Sequence, residues 1–216
     1  MQSKELIAAR AARFFKDGDL VNLGIGMPTM VANYLPEDVH IQLQSENGFI
    51  GVGPTPEADS IDPDMVNAGG QFTSILPGGC TFDSCTSFSL IRGGHVSATV
   101  LGALEVDGEG NLANWIIPGK RVPGMGGGMD LVAGSNLVII TMDHCTKEGE
   151  PKILKRCSLP LTAVNSVDYV ITELCVLHHT GKAFVLEELA PGVTVEEVIA
   201  KTEAELIIPE KIGCMQ

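Results

Sequence analysis

The sequence predicts an α/β protein built on an open, largely parallel sheet flanked by helices. Runs of β-branched residues alternate with segments whose apolar residues recur at helical spacing, which is typical of such sheets. Glycine accounts for 25 of 216 residues and aromatic residues for only 5%, which indicates many tight turns and backbone-lined surfaces. The chain contains no repeat, low-complexity tract or linker, so residues 1–216 are expected to form a single domain.

The first quarter of the chain predicts a helix, a strand, a short helix and a second strand. Ile7, Ala11 and Phe14 recur at helical spacing in the first of these elements. Thr29 is the expected N-cap of the short helix, because its hydroxyl can accept a free backbone amide there. The four elements are expected over residues 3–16, 20–24, 29–34 and 40–44.

The rest of the chain predicts five more strands and two more helices. The strand segments are rich in β-branched residues and cover residues 96–106, 111–117, 137–142, 168–172 and 183–188. The helices are expected over residues 83–91 and 195–204. A capping box formed by Thr194 and Glu197 opens the second of them.

The charge balance argues against nucleic acid and anionic membranes as partners. Fourteen Lys and Arg residues against 27 Asp and Glu give a formal net charge of −13, which repels phosphate groups. The adjacent basic pairs Lys120–Arg121 and Lys155–Arg156 are either local anion sites or solvated surface. No apolar stretch has the length of a signal peptide or a membrane span, which predicts a soluble cytoplasmic protein.

The cysteines and histidines do not form a metal-binding pattern. The histidines show no H-E-x-x-H spacing, so no catalytic metal is expected. His178 and His179 are expected at an exposed hairpin tip, and residues 62–64, Asp-Pro-Asp, at a solvated turn. Six cysteines without a C-x-x-C pair are expected to be reduced, buried and inert: Cys80, Cys85, Cys145, Cys157, Cys175 and Cys214.

Two glycine-rich loops are candidates for contact with a substrate. Residues 124–129 read Gly-Met-Gly-Gly-Gly-Met, and the final Met disfavours a dinucleotide fingerprint. The backbone amides of residues 126–128 can approach an oxyanion closely, although a structural turn is the alternative. Residues 24–28 form either a close-approach loop, through Gly24 and Gly26, or a tight strand-to-helix turn, and the pattern alone favours the turn.

A lone carboxylate, Glu46, lies in a loop of polar and small residues directly after a predicted strand. Ligands of open α/β sheets bind beyond the carboxyl ends of the strands, and the loops at residues 24–28 and 45–48 both leave strands at that edge. By pattern alone, Glu46 is an exposed loop acid. No G-x-S-x-G motif, Walker loop or Ser/His/Asp arrangement offers another reactive centre.

Five segments spread over nearly the whole chain share their sequences with one known family. They read L-Q-S-E-N-G-F-I-G over 43–51, N-L-G-I-G-M-P-T over 22–29, I-R-G-G-H-V over 91–96, L-A-N-W-I-I-P-G-K over 112–120 and G-M-G-G-G-M-D-L-V over 124–132. This pattern resembles the family I coenzyme A transferases. The closest similarity is to the β subunits of bacterial 3-oxoacid, acetate or butyrate–acetoacetate transferases.

The resemblance implies a Rossmann-like sheet of the CoA-transferase type and a ping-pong reaction in which Glu46 is the covalent nucleophile. Coenzyme A is then a substrate, no cofactor is permanently bound, and a companion α subunit completes the active site. The implied oxyanion donors are the amides of Gly126, Gly127 and Gly128. Gly128 departs mildly from the family, which more usually has Ala at this position.

The remaining site residues follow from the same resemblance. Gly24 and Gly26 are the second choice for oxyanion donors and candidates for binding the substrate. Asn47 and Gly48 are also candidates for binding the substrate, and with Ser45 they are expected to keep the carboxylate of the nucleophile polar and oriented. Lys120 is a candidate for binding coenzyme A.

Two alternatives remain open at this point. The β subunits of β-ketoadipate:succinyl-CoA transferases carry very similar motifs, so the motifs do not identify the acid. A non-catalytic ligand-binding or regulatory protein can share the fold, but it would not need Glu46 in a polar loop.

Overall fold

The computed structural model describes residues 3–120 and 124–216. Within them, a 3-10 helix spans Met27–Tyr34. The α-helices are α1 (Ser3–Ala12), α2 (Ser84–Arg92), α3 (Gly128–Gly134) and α4 (Val195–Ala200). The strands are β1 (Leu20–Leu23), β2 (Gln42–Ser45), β3 (Phe49–Val52), β4 (Ile75–Thr81), β5 (Ala98–Leu101), β6 (Glu105–Asp107), β7 (Leu112–Ala113), β8 (Val138–Thr141), β9 (Ile153–Leu154), β10 (Tyr169–Ile171), β11 (Cys175–His179), β12 (Phe184–Leu189), β13 (Leu206–Ile207) and β14 (Gly213–Cys214).

One large sheet of eleven strands organises the described residues. Its order is β13-β12-β11-β10-β8-β5-β1-β2-β3-β4, with β14 beside β12. The five central strands, β10, β8, β5, β1 and β2, are all parallel, and antiparallel strands extend the sheet on both sides. A smaller sheet has the order β7-β6-β9. The predicted fold class, an α/β protein with a largely parallel sheet, is confirmed.

Alternate residues of the central strands face two separate apolar layers. Val138 and Ile140 of β8 belong to the layer that includes residues of α2, α3 and α4. Ile139, between them, belongs to the layer under α1 and the 3-10 helix. Both faces of the sheet are therefore covered, which explains why β8 is buried along its whole length. No helix of the described chain is both long and apolar enough to span a membrane.

The first two helices differ from the sequence expectation at their ends. α1 stops at Ala12, because the next three amides bond carbonyls only three residues back and the chain turns. The prediction that Thr29 is an N-cap is wrong. Gly26 occupies that position, and the Thr29 hydroxyl donates to the Gly26 carbonyl at 2.7 Å. Pro28 in the first turn lacks an amide hydrogen, so the helix start has one fewer donor to satisfy.

Two predicted strands are shorter than expected, each for its own reason. The segment 96–106 divides at Gly102 into β5 of the large sheet and β6 of the small one. In the segment 111–117, only Leu112 and Ala113 form a strand. The next residue, Asn114, turns its side chain to the Gly102 carbonyl and to Thr162 instead of continuing the ladder.

Both expected helices of the second half are present. α2 begins after Asp83, whose carboxylate accepts the Thr86 amide at 2.7 Å, and this hydrogen bond lowers the pKa of Asp83. α4 begins after Thr194, whose hydroxyl accepts a hydrogen bond from the Glu197 amide at 3.2 Å. This bond, from the backbone of Glu197 to the N-cap side chain, is one of the two in the predicted capping box. α4 ends at residue 200 rather than 204.

The prediction that His178 and His179 lie at a hairpin tip is wrong. Both belong to β11, and the turn that follows is closed by the Thr180 amide on the Ala183 carbonyl. His179 is buried, and His178 stacks on Tyr169 at a centroid distance of 4.5 Å. The predicted turn is present, but it begins at Thr180, because β11 extends through both histidines. The Asp-Pro-Asp segment at 62–64 is an exposed turn, as predicted.

The prediction of buried cysteines is confirmed only for Cys175, since Cys145 and Cys157 are half-buried and the other three are exposed. Cys80 lies on the edge strand β4, Cys85 in the first turn of α2 and Cys214 in the short strand β14, and all three are exposed. Cys175 is buried within β11, and burial raises the pKa of its thiol to about 12. All six cysteines are free thiols.

Candidate active site

Glu46 lies at the carboxyl edge of the sheet, directly after β2, at the base of a cleft of about 710 Å³. The cleft is bounded by the end of β1, the loop after β2, residues 52–55 and 67–73, and residues 124–128 at the start of α3. β1 and β2 are parallel neighbours, so their carboxyl ends open on the same side. This is the edge at which the sequence pattern predicted a ligand site.

Asn22 of β1 donates a hydrogen bond to the carboxylate of Glu46. The distance between Asn22 Nδ2 and Glu46 Oε2 is 3.1 Å. Asn22 is 1% exposed, whereas Glu46 is half-buried. A buried amide therefore donates to a carboxylate that is accessible from the cleft. Asn22 was not among the predicted site residues. The sequence signal that could have indicated Asn22 is its position in the N-L-G-I-G segment. This segment ends β1, which pairs with β2, the strand before Glu46.

The residues expected to orient Glu46 have other partners. Ser45 Oγ accepts the Ala68 amide at 2.9 Å, and Asn47 Nδ2 donates to the Val66 carbonyl at 2.8 Å. The Gly48 amide donates to the Ser45 carbonyl at 3.0 Å. Ser45 and Asn47 therefore fix the loop to the segment 66–68, whereas the Gly48 bond closes the loop on itself. The predicted polar support of Glu46 comes from Asn22 instead.

Gly48 has a structural reason to be glycine. Its φ of 130° lies in the region that favours glycine, and a Cβ atom there would collide with the Phe82 carbonyl oxygen. The Phe82 amide donates to the Gly48 carbonyl at 2.8 Å. The turn between β2 and β3 is thereby held close to the chain that enters α2, and Glu46 lies within this turn.

The glycine-rich loop approaches Glu46 from the other side. A Cβ atom on Gly127 would lie 3.1 Å from Glu46 Cγ and 3.3 Å from two ring atoms of Phe88. The Gly128 amide donates to the Met125 carbonyl at 3.0 Å, so it is not a free donor. The amides of Gly126 and Gly127 have no hydrogen-bond acceptor within residues 3–120 and 124–216. Of the three predicted oxyanion donors, the Gly128 amide is therefore the one with an acceptor among the described residues.

The other candidate residues are less well placed. Gly24 lines the cleft, but its amide donates to the Val100 carbonyl at 2.8 Å. Gly26, Asn47 and Gly48 are not among the residues that line the cleft. Lys120 is exposed and also outside the cleft lining, and its predicted basic neighbour Arg121 lies outside the described residues. In the second basic pair, Arg156 forms a surface ion pair with Glu109 at 2.9 Å.

The described lining of the cleft has a single ionisable group. Of its side chains, only Glu46 can carry a charge, and the others are apolar, amide or hydroxyl side chains or glycine. Among the described residues, no group of three His, Cys, Asp or Glu side chains is placed to hold a metal ion. Within this lining, a nucleophilic step that uses an ionised side chain can therefore use only Glu46.

Comparison with known proteins identifies the family. The family described as Coenzyme A transferase matches residues 4–201. The beta subunit of the acetate CoA-transferase of Escherichia coli K12 is 59% identical over 204 residues, which cover 94% of this chain and 93% of that protein. The corresponding subunit of the probable succinyl-CoA:3-ketoacid coenzyme A transferase of Bacillus subtilis strain 168 is 47% identical over 211 residues, which cover 98% of each chain.

A solved structure shows the same fold. The apoenzyme of an acyl-CoA transferase from Escherichia coli O157:H7 matches with a TM-score of 0.78 and 21% sequence identity. The match covers 100% of this chain and 43% of that longer chain. The resemblance carried by the five sequence segments is confirmed: the chain belongs to the coenzyme A transferase family, whose reaction moves coenzyme A between an acyl-CoA and a carboxylic acid.

Proposed function

We propose that this chain is the β subunit of a CoA transferase in which Glu46 forms a covalent glutamyl-CoA thioester while coenzyme A passes to a short-chain or 3-oxo acid. The observation that carries the proposal is the position of Glu46. It is the only ionisable side chain among the described residues of the cleft, and its carboxylate accepts a hydrogen bond from the buried Asn22. The backbone amides of Gly126 and Gly127, which have no acceptor among the described residues, line the same cleft.

The reaction follows from the properties of a carboxylate nucleophile. A Glu46 oxygen attacks the thioester carbonyl of the acyl-CoA, and collapse of the tetrahedral intermediate expels CoA thiolate and leaves a glutamyl–acyl mixed anhydride. The thiolate then attacks the glutamyl carbonyl, which releases the first carboxylic acid and leaves glutamyl-CoA. The acceptor acid reverses these steps, so no net oxidation, proton or water is required.

Asn22 can support Glu46 through the whole cycle. Its Nδ2 is a donor only, and a carboxylate, a tetrahedral oxyanion and a thioester carbonyl all accept hydrogen bonds. Because the side chain is 1% exposed, its position does not depend on solvent. Fixed donors aimed at a developing oxyanion stabilise the transition state by about 3 kcal/mol each. The amides of Gly126 and Gly127, which have no acceptor within residues 3–120 and 124–216, are the matching donors for the oxyanion on the substrate side.

The cleft needs a second polypeptide to hold coenzyme A. Coenzyme A carries phosphate charges, yet no Lys or Arg is found among the described residues that line the cleft. Four large apolar residues of the same lining are also exposed, at 69%, 42%, 48% and 38% for Ile25, Phe72, Leu76 and Met125. An α subunit that covers these side chains and supplies the cations accounts for both features. Both relatives described above are likewise named as single subunits of a transferase.

The acid is proposed from the names of the relatives. One is named as an acetate CoA-transferase and another as a probable succinyl-CoA:3-ketoacid transferase. We therefore assign short-chain monocarboxylic acids and their 3-oxo derivatives, such as acetate and acetoacetate, as the substrate class. An exchange assay of the purified complex with acetate, butyrate, acetoacetate, succinate and β-ketoadipate tests this assignment, and a preference for β-ketoadipate would overturn it.

Substitution of Glu46 tests the nucleophile. Glu46→Ala should abolish transfer and leave the dissociation constant for coenzyme A within about threefold, because the carboxylate acts in chemistry rather than in holding the ligand. Glu46→Asp shortens the side chain by one methylene and should slow transfer by about 100-fold or more. Glu57→Ala, at an exposed glutamate outside the cleft lining, is the matched control and should behave as wild type. More than a few per cent of native turnover in Glu46→Ala would rule out the nucleophile.

A further inference from the structure

A chain of buried amide and hydroxyl groups extends from Glu46 to helix α2. Gln44 Oε1 accepts a hydrogen bond from Asn22 Nδ2 at 2.7 Å, which is shorter than the 3.1 Å bond from the same nitrogen to Glu46. At its other end, Gln44 Nε2 donates to Ser87 Oγ at 2.9 Å. Gln44 is 3% exposed and Ser87 is fully buried.

The polarity of this chain fixes the orientation of Asn22. One amide group has a donor end and an acceptor end, so a reversed Asn22 would turn its oxygen toward both Gln44 Oε1 and the Glu46 carboxylate. Both of those groups accept hydrogen bonds, and both would lose their donor. A reversed Gln44 would instead place two donors opposite each other, between side chains that are only 1% and 3% exposed. The observed arrangement satisfies every named group.

We propose that Gln44 is a positioning residue for the transfer reaction, which holds Asn22 Nδ2 directed at Glu46 and is itself braced against α2 by Ser87. The proposal rests on the role of Glu46 proposed above. Gln44 makes no hydrogen bond to Glu46 and acts through Asn22. Because β1 and β2 place Asn22 and Gln44 opposite each other, the two amides meet without movement of the backbone.

Pinning the register of β1 and β2 is the competing structural role for the same contacts. A purely structural residue would change stability when it is replaced, but it would not selectively slow attack by Glu46. A positioning residue should slow the acylation step while binding of acyl-CoA stays nearly unchanged, since a displacement of about 1 Å at a reacting group can lower a rate by about 100-fold.

The test uses the chain purified with its α subunit. The rate of CoA attachment to Glu46 is measured by rapid quench and peptide mass analysis after mixing with saturating acetoacetyl-CoA and no acceptor. Gln44→Met keeps the length of the side chain and removes both polar ends, and it should slow attachment by about 30- to 100-fold. Ser87→Ala leaves Gln44 in place and should slow attachment by about 3- to 10-fold. In both variants the dissociation constant of acetoacetyl-CoA should stay within about threefold of native.

Thr99→Val is the matched control. Thr99 is fully buried and lies opposite Asn22 on β5, the other neighbour of β1, but its hydroxyl has no hydrogen-bond partner among the described residues. The Thr99→Val variant should attach CoA to Glu46 at a rate within about twofold of the native rate. The double variant Gln44→Met/Ser87→Ala should be no slower than Gln44→Met alone, because Ser87 acts only through Gln44.

The outcomes separate the two proposals. A native complex that attaches no CoA to Glu46 would overturn both the nucleophile and the positioning role. A normal native adduct together with native attachment rates in Gln44→Met and Ser87→Ala would overturn the role of Gln44 alone. If Gln44→Met does not fold, the rate in Ser87→Ala decides, and a native rate there contradicts the proposal. Multiplicative slowing in the double variant would also contradict it.

Discussion

Gly127 and Gly128 are adjacent, yet an added methyl group would meet different surroundings at each. At Gly127 the new Cβ would lie 3.1 Å from Glu46 Cγ and 3.3 Å from Phe88. At Gly128 the nearest atom is Thr162 Cγ2 at 3.9 Å. The φ of Gly127 is −82°, so alanine can adopt its backbone conformation and only the contact is at issue. The pair therefore isolates the effect of crowding the nucleophile.

The expected magnitude follows from these distances. Carbon atoms in ordinary contact are about 3.5–4.0 Å apart, so Gly127→Ala should displace Glu46 or Phe88 by roughly 0.5 Å. A displacement of about 1 Å can reduce a rate by about 100-fold. If the logarithm of the rate falls in proportion to the displacement, about 0.5 Å corresponds to about tenfold. Gly128→Ala should leave turnover unchanged. It should also stabilise the chain by about 0.5–1 kcal/mol, since alanine restricts the unfolded state at the first residue of α3.

Initial-rate kinetics of the complex with its α subunit provide the assay. We expect the turnover number of Gly127→Ala to fall by about tenfold, with the Michaelis constant for acyl-CoA nearly unchanged. Urea unfolding of both variants shows whether either has lost its fold. Equal turnover of Gly127→Ala and Gly128→Ala would refute the reasoning, because the close contact would then not set the position of Glu46.

Three further predictions concern stability and assembly. Arg10→Met should lower the free energy of unfolding by about 1–3 kcal/mol, because the guanidinium donates hydrogen bonds of 2.7 and 2.8 Å to the largely buried Glu188. An unchanged midpoint of urea unfolding would contradict this. Burial, and to a smaller extent the charge of Lys201, lowers the pKa of His144 from 6.5 to about 4. The neutral imidazole therefore contributes fully to the free energy of unfolding above about pH 6.5, and this contribution falls by up to about 3 kcal/mol as the pH drops toward 4. His144→Gln should flatten the pH dependence of unfolding in that window, and an unchanged slope would exclude His144 as its source. The chain expressed alone should aggregate or self-associate and lack activity, and co-expression with an α subunit should restore solubility and turnover; full activity of the chain alone would contradict the two-subunit proposal.

The central strands were predictable because each combines local propensity with burial. β5 and β8 are buried at every residue, and their β-branched runs show this directly in the sequence. β4 gave no such signal, since its sequence ILPGGCT contains a proline and two glycines and most of its residues are exposed. It is a strand because it pairs with β3, a contact that local propensity does not encode.

The site was predictable only in part for a related reason. The motif around residues 43–51 identified Glu46, but its donor Asn22 is 24 positions away in sequence and becomes a neighbour only when β1 and β2 pair. Ser45 and Asn47 are adjacent in sequence and were expected to help, but the strand and turn direct their polar groups toward residues 66–68. Proximity along the chain was therefore a poor guide to which side chain faces the carboxylate.

The measurement that tests the central claim most directly is the mass of the peptide that contains Glu46 after the complex has been incubated with acyl-CoA in the absence of an acceptor acid. We expect a CoA adduct on Glu46 that borohydride reduces to an alcohol, with loss of activity, and that adding acceptor acid discharges. Glu46→Gln should carry no adduct. An unmodified Glu46 under turnover conditions, or an adduct on any of the six cysteines, would contradict the mechanism.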